Sequence, residues 1–146
     1  MIYTDLTKKA LKLAYEAHAG QRDKSGLPYI FHPFHLAEQM TDEISTVCAL
    51  LHDVVEDTDY TLSDLSEMGF PESVTEVISL LTHKDGVDYM DYVAEIAKNP
   101  TARAVKIADL LHNSDRSRLN GEPDEWAMRR YEKYKAAYEY LMKVGE

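Results

Sequence analysis

The sequence predicts an all-α fold. Apolar residues recur three and four positions apart along most of the chain, and no stretch alternates apolar and polar residues as a half-buried strand would. Glycine and proline mark the breaks between these periodic stretches. At 146 residues the chain fits one domain with one core, so residues 1–146 are read as a single domain. A hydrophobic content of 45% is enough to fill that core and excludes global disorder.

The elements follow in order. Leu6, Ala10, Leu13, Ala14 and Ala17 form one stripe and predict a first helix. Gly20 to Pro28, rich in glycine and charge, reads as a loop. Pro33 suits the first turn of a second helix running to about Met40, which leaves His32 at the entry to that helix. A third helix is expected from about Asp42 to Val54. Thr61 and Asp64 start another, although a full capping box prefers Glu or Gln at the second position, and it ends near Gly69. Pro71 opens the next, with Val74, Val77, Ile78 and Leu81 on its apolar face. A further helix starts near Asp88 and stops before Asn99-Pro100. Thr101 to about Ser114 reads as helical, and Gly121 to Asp124 break the chain before a long last helix. In it Tyr131, Tyr134, Tyr138 and Leu141 are spaced to pack on the core.

Charge and composition narrow the function. A net charge of −10 argues against a partner that is a nucleic-acid polymer, which needs a basic footprint. A phosphorylated small molecule stays open, because a few local cations can serve a pocket. The single cysteine, Cys48, excludes an internal disulfide framework and reads as a small packed residue. No apolar run approaches the roughly 20 residues that span a bilayer, so a soluble, cytoplasmic protein is expected.

The chemistry concentrates at His52-Asp53, a polar pair inside the apolar run Val47 to Val55. Burying such a pair is unfavourable unless something compensates it, and a metal ion is the usual compensation. Glu56 and Asp57 follow one turn on, on the face that carries the pair. His32 and Asp109 lie in other segments and offer partners. Two imidazoles and two carboxylates from three helical segments suit manganese, iron or zinc better than calcium.

These residues match, in order and context, the H…HD…D motif of the HD-domain superfamily. The chain further resembles the hydrolase domain of RelA/SpoT-type proteins and their small stand-alone alarmone hydrolases. The matching stretches are Ala17 to Arg22, Lys24 to Gly26, Pro28 to Ile30, His32-Pro33, Leu51 to Thr58 and Lys106 to Asn113. The resemblance implies a single HD-domain helical bundle with one divalent metal between its helices, usually manganese. It also implies hydrolysis of the 3′-pyrophosphate of guanosine tetra- or pentaphosphate, and degradation alone, since no synthetase region follows.

Residue by residue, the resemblance makes His32, His52, Asp53 and Asp109 the metal ligands. Glu56 and Asp57 become the acidic pair that orients or activates the attacking water. Lys24, Ser25 and Asn113 fall where the family meets its nucleotide, with Arg22 a further phosphate candidate. Lys106, one turn before Asp109, is expected to pair with an active-site carboxylate. His18, His35 and His112 read as supporting residues and His83 as a solvated loop residue. Asp23 departs from the family, which commonly has a basic residue there, and a carboxylate at that point opposes a polyphosphate. That departure keeps open hydrolysis of another nucleotide or phosphorylated metabolite. A non-catalytic nucleotide-binding module and a di-iron oxygenase are further alternatives. The first would be favoured by loss of a ligand, and the second needs more ligands than the spare histidines obviously supply.

Overall fold

Thr4 opens the first helix, α1 (Asp5–Ala17), with a reciprocal cap: its hydroxyl accepts from the Thr7 N–H, and the Thr7 hydroxyl accepts from the Thr4 N–H. The computed structural model describes residues 1–145, and among them the only β pairing is an isolated bridge between Arg22 and Pro28. After a loop come α2 (Phe31–Glu38), α3 (Glu43–Leu51), the single turn α4 (Val54–Asp57) and α5 (Leu62–Glu67). Then follow α6 (Glu72–Leu81), α7 (Tyr89–Ala97), α8 (Pro100–Asn113), a 3-10 turn at Arg116–Arg118 and α9 (Glu125–Val144).

The helix starts are written in short polar side chains. Asp42, Thr61, Asp88, Asn99 and Asp124 each accept a backbone N–H of the turn they open, satisfying donors that have no partner inside the helix. At α5 the Asp64 carboxylate reaches back to the Thr61 N–H at 2.8 Å, so aspartate closes a capping box as well.

At the centre lies α3, buried from Ser45 through Leu51 and packed against α1, α2, α6 and α8. A helix apolar on every side is stable only when neighbours surround it. Val74, Val77, Ile78 and Leu81 of α6 join this core, as do Val93 and Ile96 of α7 and Leu141 of α9. Truncating a fully buried leucine such as Leu50 to alanine costs about 3 kcal/mol in such surroundings. In α9, Tyr131 is buried while Tyr134 and Tyr138 are partly covered.

One expectation needs correction, at the polar segment. The third helix ends at Leu51, not Val54. Asp53 sits at φ −108° and ψ 1°, a bridging conformation between helical turns, and caps α4. Aspartate is a poor interior helix residue, and here its carboxylate is engaged by the Tyr29 hydroxyl, which favours the break. The second helix begins at Phe31, which puts His32 at its entry and Pro33 in its first turn, as expected. Pro33 is tolerated there because the amide it lacks would have no helical partner.

Candidate active site

Three elements converge on one point. α2 brings His32, the α3–α4 junction brings His52 and Asp53, and α8 brings Asp109. His32 Nε2 lies 2.8 Å from Asp109 Oδ1. His52 Nε2 lies 2.9 Å from Asp53 Oδ2 and 3.5 Å from Asp109 Oδ1. Donor atoms of His32, His52 and Asp109 fall within 4.8 Å of one another, and so do those of Asp53, Glu56 and Asp57. The short His52–Asp53 contact joins the two groups.

Local hydrogen bonds set the orientation of each group. His52 donates from Nδ1 to the Ala49 carbonyl at 2.8 Å, one of the acceptors left free where α3 ends. That bond leaves Nε2 as the ring's lone pair when the imidazole is neutral, aimed at the carboxylates. The atom is buried and has no aligned hydrogen-bond partner among the described residues, although both carboxylates are close. Lys106 donates to Asp109 Oδ2 at 2.9 Å, as expected, and Asn113 donates to Oδ1 at 3.0 Å. The Tyr29 hydroxyl donates to Asp53 Oδ2. Sequence reasoning missed Tyr29, although it stands three residues before His32.

The electrostatics are those of a site that wants positive charge. Burial alone would lower the His52 imidazole, yet Asp53 and Asp109 outweigh it and raise its pKa well above the usual value. Burial would raise the Asp109 carboxyl, but Lys106, His32 and His52 hold it well below the ordinary range. Asp53 is likewise lowered, with His52 overcoming desolvation. Beside them, burial followed by the charges of Asp53 and Glu56 pushes the Asp57 carboxyl up to about 6. A buried imidazole nitrogen set between two ionised carboxylates, drawing a proton in the metal-free protein, fits a divalent cation in that proton's place.

Glu56 is held from outside the quartet: its Oε1 accepts the His83 N–H at 2.6 Å. His83 is therefore not a freely solvated residue. Its Nε2 lies 2.7 Å from the Val87 carbonyl and its ring stacks on Tyr92, which fastens the α6–α7 loop beside the acidic pair. His18 and His112 take supporting places. His18 Nδ1 meets Gln21 Oε1 at 2.8 Å, and Gln21 donates to the Asp57 carbonyl at 3.1 Å. His112 Nδ1 meets His32 Nδ1 at 2.7 Å. Burial, with Arg118, His32 and His35 adding to it, pushes the His112 imidazole down to about 4.

A cleft of about 270 Å³ opens beside His32, lined among others by Lys24, Ser25, Asn113, Arg118, Arg130 and Tyr134. Arg22 also borders it, with its guanidinium donating to the Gly26 carbonyl at 2.8 Å. The loop that carries Lys24 is shaped by Asp23, whose Oδ1 accepts from the Ser25 and Leu27 amides at 2.9 and 3.0 Å. Gly26, at φ 84°, supplies the turn that an L side chain disfavours. Asp23 also lines the cleft, where its Oδ2 lies 3.4 Å from Arg118 Nη2, a contact that pairs its charge. The Ser25 hydroxyl donates to the Arg118 carbonyl. Arg118, Arg130, Tyr131 and Tyr134 were not assigned to this cleft from sequence, because their approach depends on how α9 and the 3-10 turn pack against the loop.

An all-α bundle presenting two histidines and two aspartates in this order is an HD domain. Residues 10–110 match the HD domain family, and the chain belongs to it. It is 37% identical over 121 residues to a probable GTP pyrophosphokinase of Mycobacterium leprae, covering 74% of this chain and 15% of that protein. It is 34% identical over 118 residues to the guanosine-3′,5′-bis(diphosphate) 3′-pyrophosphohydrolase of Aquifex aeolicus, covering 73% and 17%. The chain thus spans about a sixth of the length of these curated relatives. Among solved structures it is similar to a metazoan ortholog of SpoT described as hydrolysing ppGpp. The TM-score is 0.78 at 25% identity, covering 99% of this chain and 87% of that one.

Proposed function

We propose that this chain is a metal-dependent phosphohydrolase that removes the 3′-pyrophosphate of guanosine tetra- or pentaphosphate, with Mn²⁺ as its working ion. One observation carries the reading: His52 Nε2 is buried, turned inward by the Ala49 carbonyl, without an aligned hydrogen-bond partner among the described residues, and faced by Asp53 and Asp109. In this reading His32, His52, Asp53 and Asp109 are the ligands, and residues 1–146 act as one domain. A bound divalent ion lowers the pKa of a coordinated water and polarises a phosphoryl oxygen.

The chain's own groups supply the rest. Asp57, with its carboxyl raised to about 6, is suited to hold and release a proton near neutrality. Glu56, fixed by the His83 amide, orients the attacking water. Lys24 and Asn113 face the cleft, and Arg22 and Ser25 border it, so they form the substrate side, with Arg130 adding charge and Tyr131 and Tyr134 adding aromatic surface. The substrate is taken from the names of the relatives and is supported by a cleft that combines cations with aromatic rings. The pairing of Asp23 with Arg118 is compatible with it, since the guanidinium offsets the carboxylate that lines the cleft.

The test is product release by the purified, Mn²⁺-loaded protein on guanosine tetraphosphate, ordinary nucleotides and NADPH. Pyrophosphate from guanosine tetraphosphate, absent with Asp53→Ala, is the expected result, and Glu56→Ala should keep the metal and lose turnover. Activity on another compound alone would replace the substrate. Silence with metal bound would overturn the enzyme reading in favour of a nucleotide-binding module.

A further inference from the structure

His112 belongs to none of the groups assigned to the metal or the substrate, yet its ring meets His32 edge to edge. The two Nδ1 atoms are 2.7 Å apart, the ring planes differ by 4° and the centroids are 5.0 Å apart. Near-parallel rings whose centroids stand farther apart than their nitrogens by two ring radii lie in one plane. The contact is therefore an in-line hydrogen bond and not a face-to-face stack. Such a bond needs a proton on one nitrogen and a lone pair on the other.

The direction of that bond decides what His32 can do. Its Nε2 lies 2.8 Å from Asp109 Oδ1, so in the absence of a cation Asp109 favours the tautomer with a proton on Nε2. A ring that coordinates through Nε2 must carry its proton on Nδ1 and needs an acceptor there. The only side chain hydrogen-bonded to His32 Nδ1 among the described residues is His112. His112 is itself fastened: Arg118 Nη1 donates to its carbonyl at 2.7 Å, and His35 stacks on its ring at 4.1 Å and 21°.

We propose that His112 is a positioning residue, whose Nδ1 lone pair accepts the His32 Nδ1 proton and so holds His32 in the tautomer that binds a divalent cation. It touches neither ion nor substrate and acts through His32. The inference rests on the metal reading above. Without this acceptor the Asp109-bonded tautomer prevails, and each binding event has to displace it.

The test is binding of Zn²⁺ and Mn²⁺ to the full chain by chelator competition, in wild type, His112→Leu and His112→Asn. It is joined by ¹⁵N NMR of the imidazoles in the zinc-loaded wild type. Asparagine places an oxygen acceptor near the position of the lost Nδ1, and leucine places none. His112→Leu should weaken both ions by about 10- to 100-fold, and His112→Asn should restore most of the loss. The NMR should find the shared proton on His32 Nδ1. Leucine binding as well as wild type, asparagine binding as poorly as leucine, or the proton on His112 Nδ1 would each overturn the inference. If the leucine variant loses its helical circular dichroism, the asparagine variant and the NMR decide. Wild-type protein that binds neither ion removes the metal reading itself, a result separate from any difference among variants.

Discussion

Lys106 and Asp109, one turn apart on α8, form a buried ion pair at 2.9 Å, while the other carboxylate oxygen of Asp109 meets His32 and Asn113. Desolvation opposes both charges, and each is kept ionised by the other. Asp109 is thus a carboxylate in the metal-free protein. Lys106→Met removes the largest of its counter-charges and should lower the unfolding free energy of the metal-free protein by about 3 kcal/mol. Urea unfolding checks it, and an unchanged midpoint would show that Asp109 has another counter-charge.

Tyr29 steers Asp53. Its hydroxyl donates to Asp53 Oδ2 while its ring packs against His18. Tyr29→Phe keeps the ring and removes the donor, so Zn²⁺ affinity should fall about 10-fold with the helical spectrum unchanged. Calorimetric titration measures it, and equal affinity would mean that His52 alone orients the carboxylate.

Asp57 predicts a pH dependence of stability in the metal-free protein. Its carboxyl stands at about 6 in the fold, against about 4 in the unfolded chain. As pH rises through that window the unfolded chain ionises first, so the fold loses stability and the loss is complete above it. Asp57→Asn should therefore melt above wild type at neutral pH and level with it near pH 4. The side chain is exposed, so screening keeps the difference below about 1 kcal/mol, a few degrees in Tm. Superimposable neutral melting curves in the presence of chelator would contradict a raised carboxyl.

Cys48 lies fully buried in α3, and burial, with Asp42 adding to it, pushes its thiol up to about 12. The native protein should not react with a chromogenic disulfide reagent, whereas the denatured chain should release one equivalent. Rapid reaction of the folded protein would mean that α3 opens readily.

Much of the architecture was legible because it is local. A helix start needs one capping oxygen and a few residues of apolar spacing, and Asp42, Thr61 and Asp88 stood at theirs, whereas Asn99 read only as the end of the helix before it. The candidate quartet was picked out by resemblance, through motifs that keep their order in the chain, and the fold brings its four residues together. The break at Asp53 was not, because its apolar flanks read as one continuous helix and its reason, the Tyr29 hydroxyl, comes from another segment. The anchoring of Glu56 by the His83 amide was hidden for the same reason: a backbone donor leaves no mark in the residue pattern.

The sequence by itself determined that this protein is an all-α bundle with imidazole and carboxylate groups at His32, His52, Asp53 and Asp109, because periodicity, caps and residue chemistry act over a few positions. Only the tertiary structure decided which of these groups meet and which charges face one another. His32 meets Asp109 across 77 positions of chain and His112 across 80, while Asp23 meets Arg118 across 95. Those contacts set tautomer, ionisation and the charge of the cleft, and they exist only once the helices have packed and shut out the water that would otherwise satisfy each group separately.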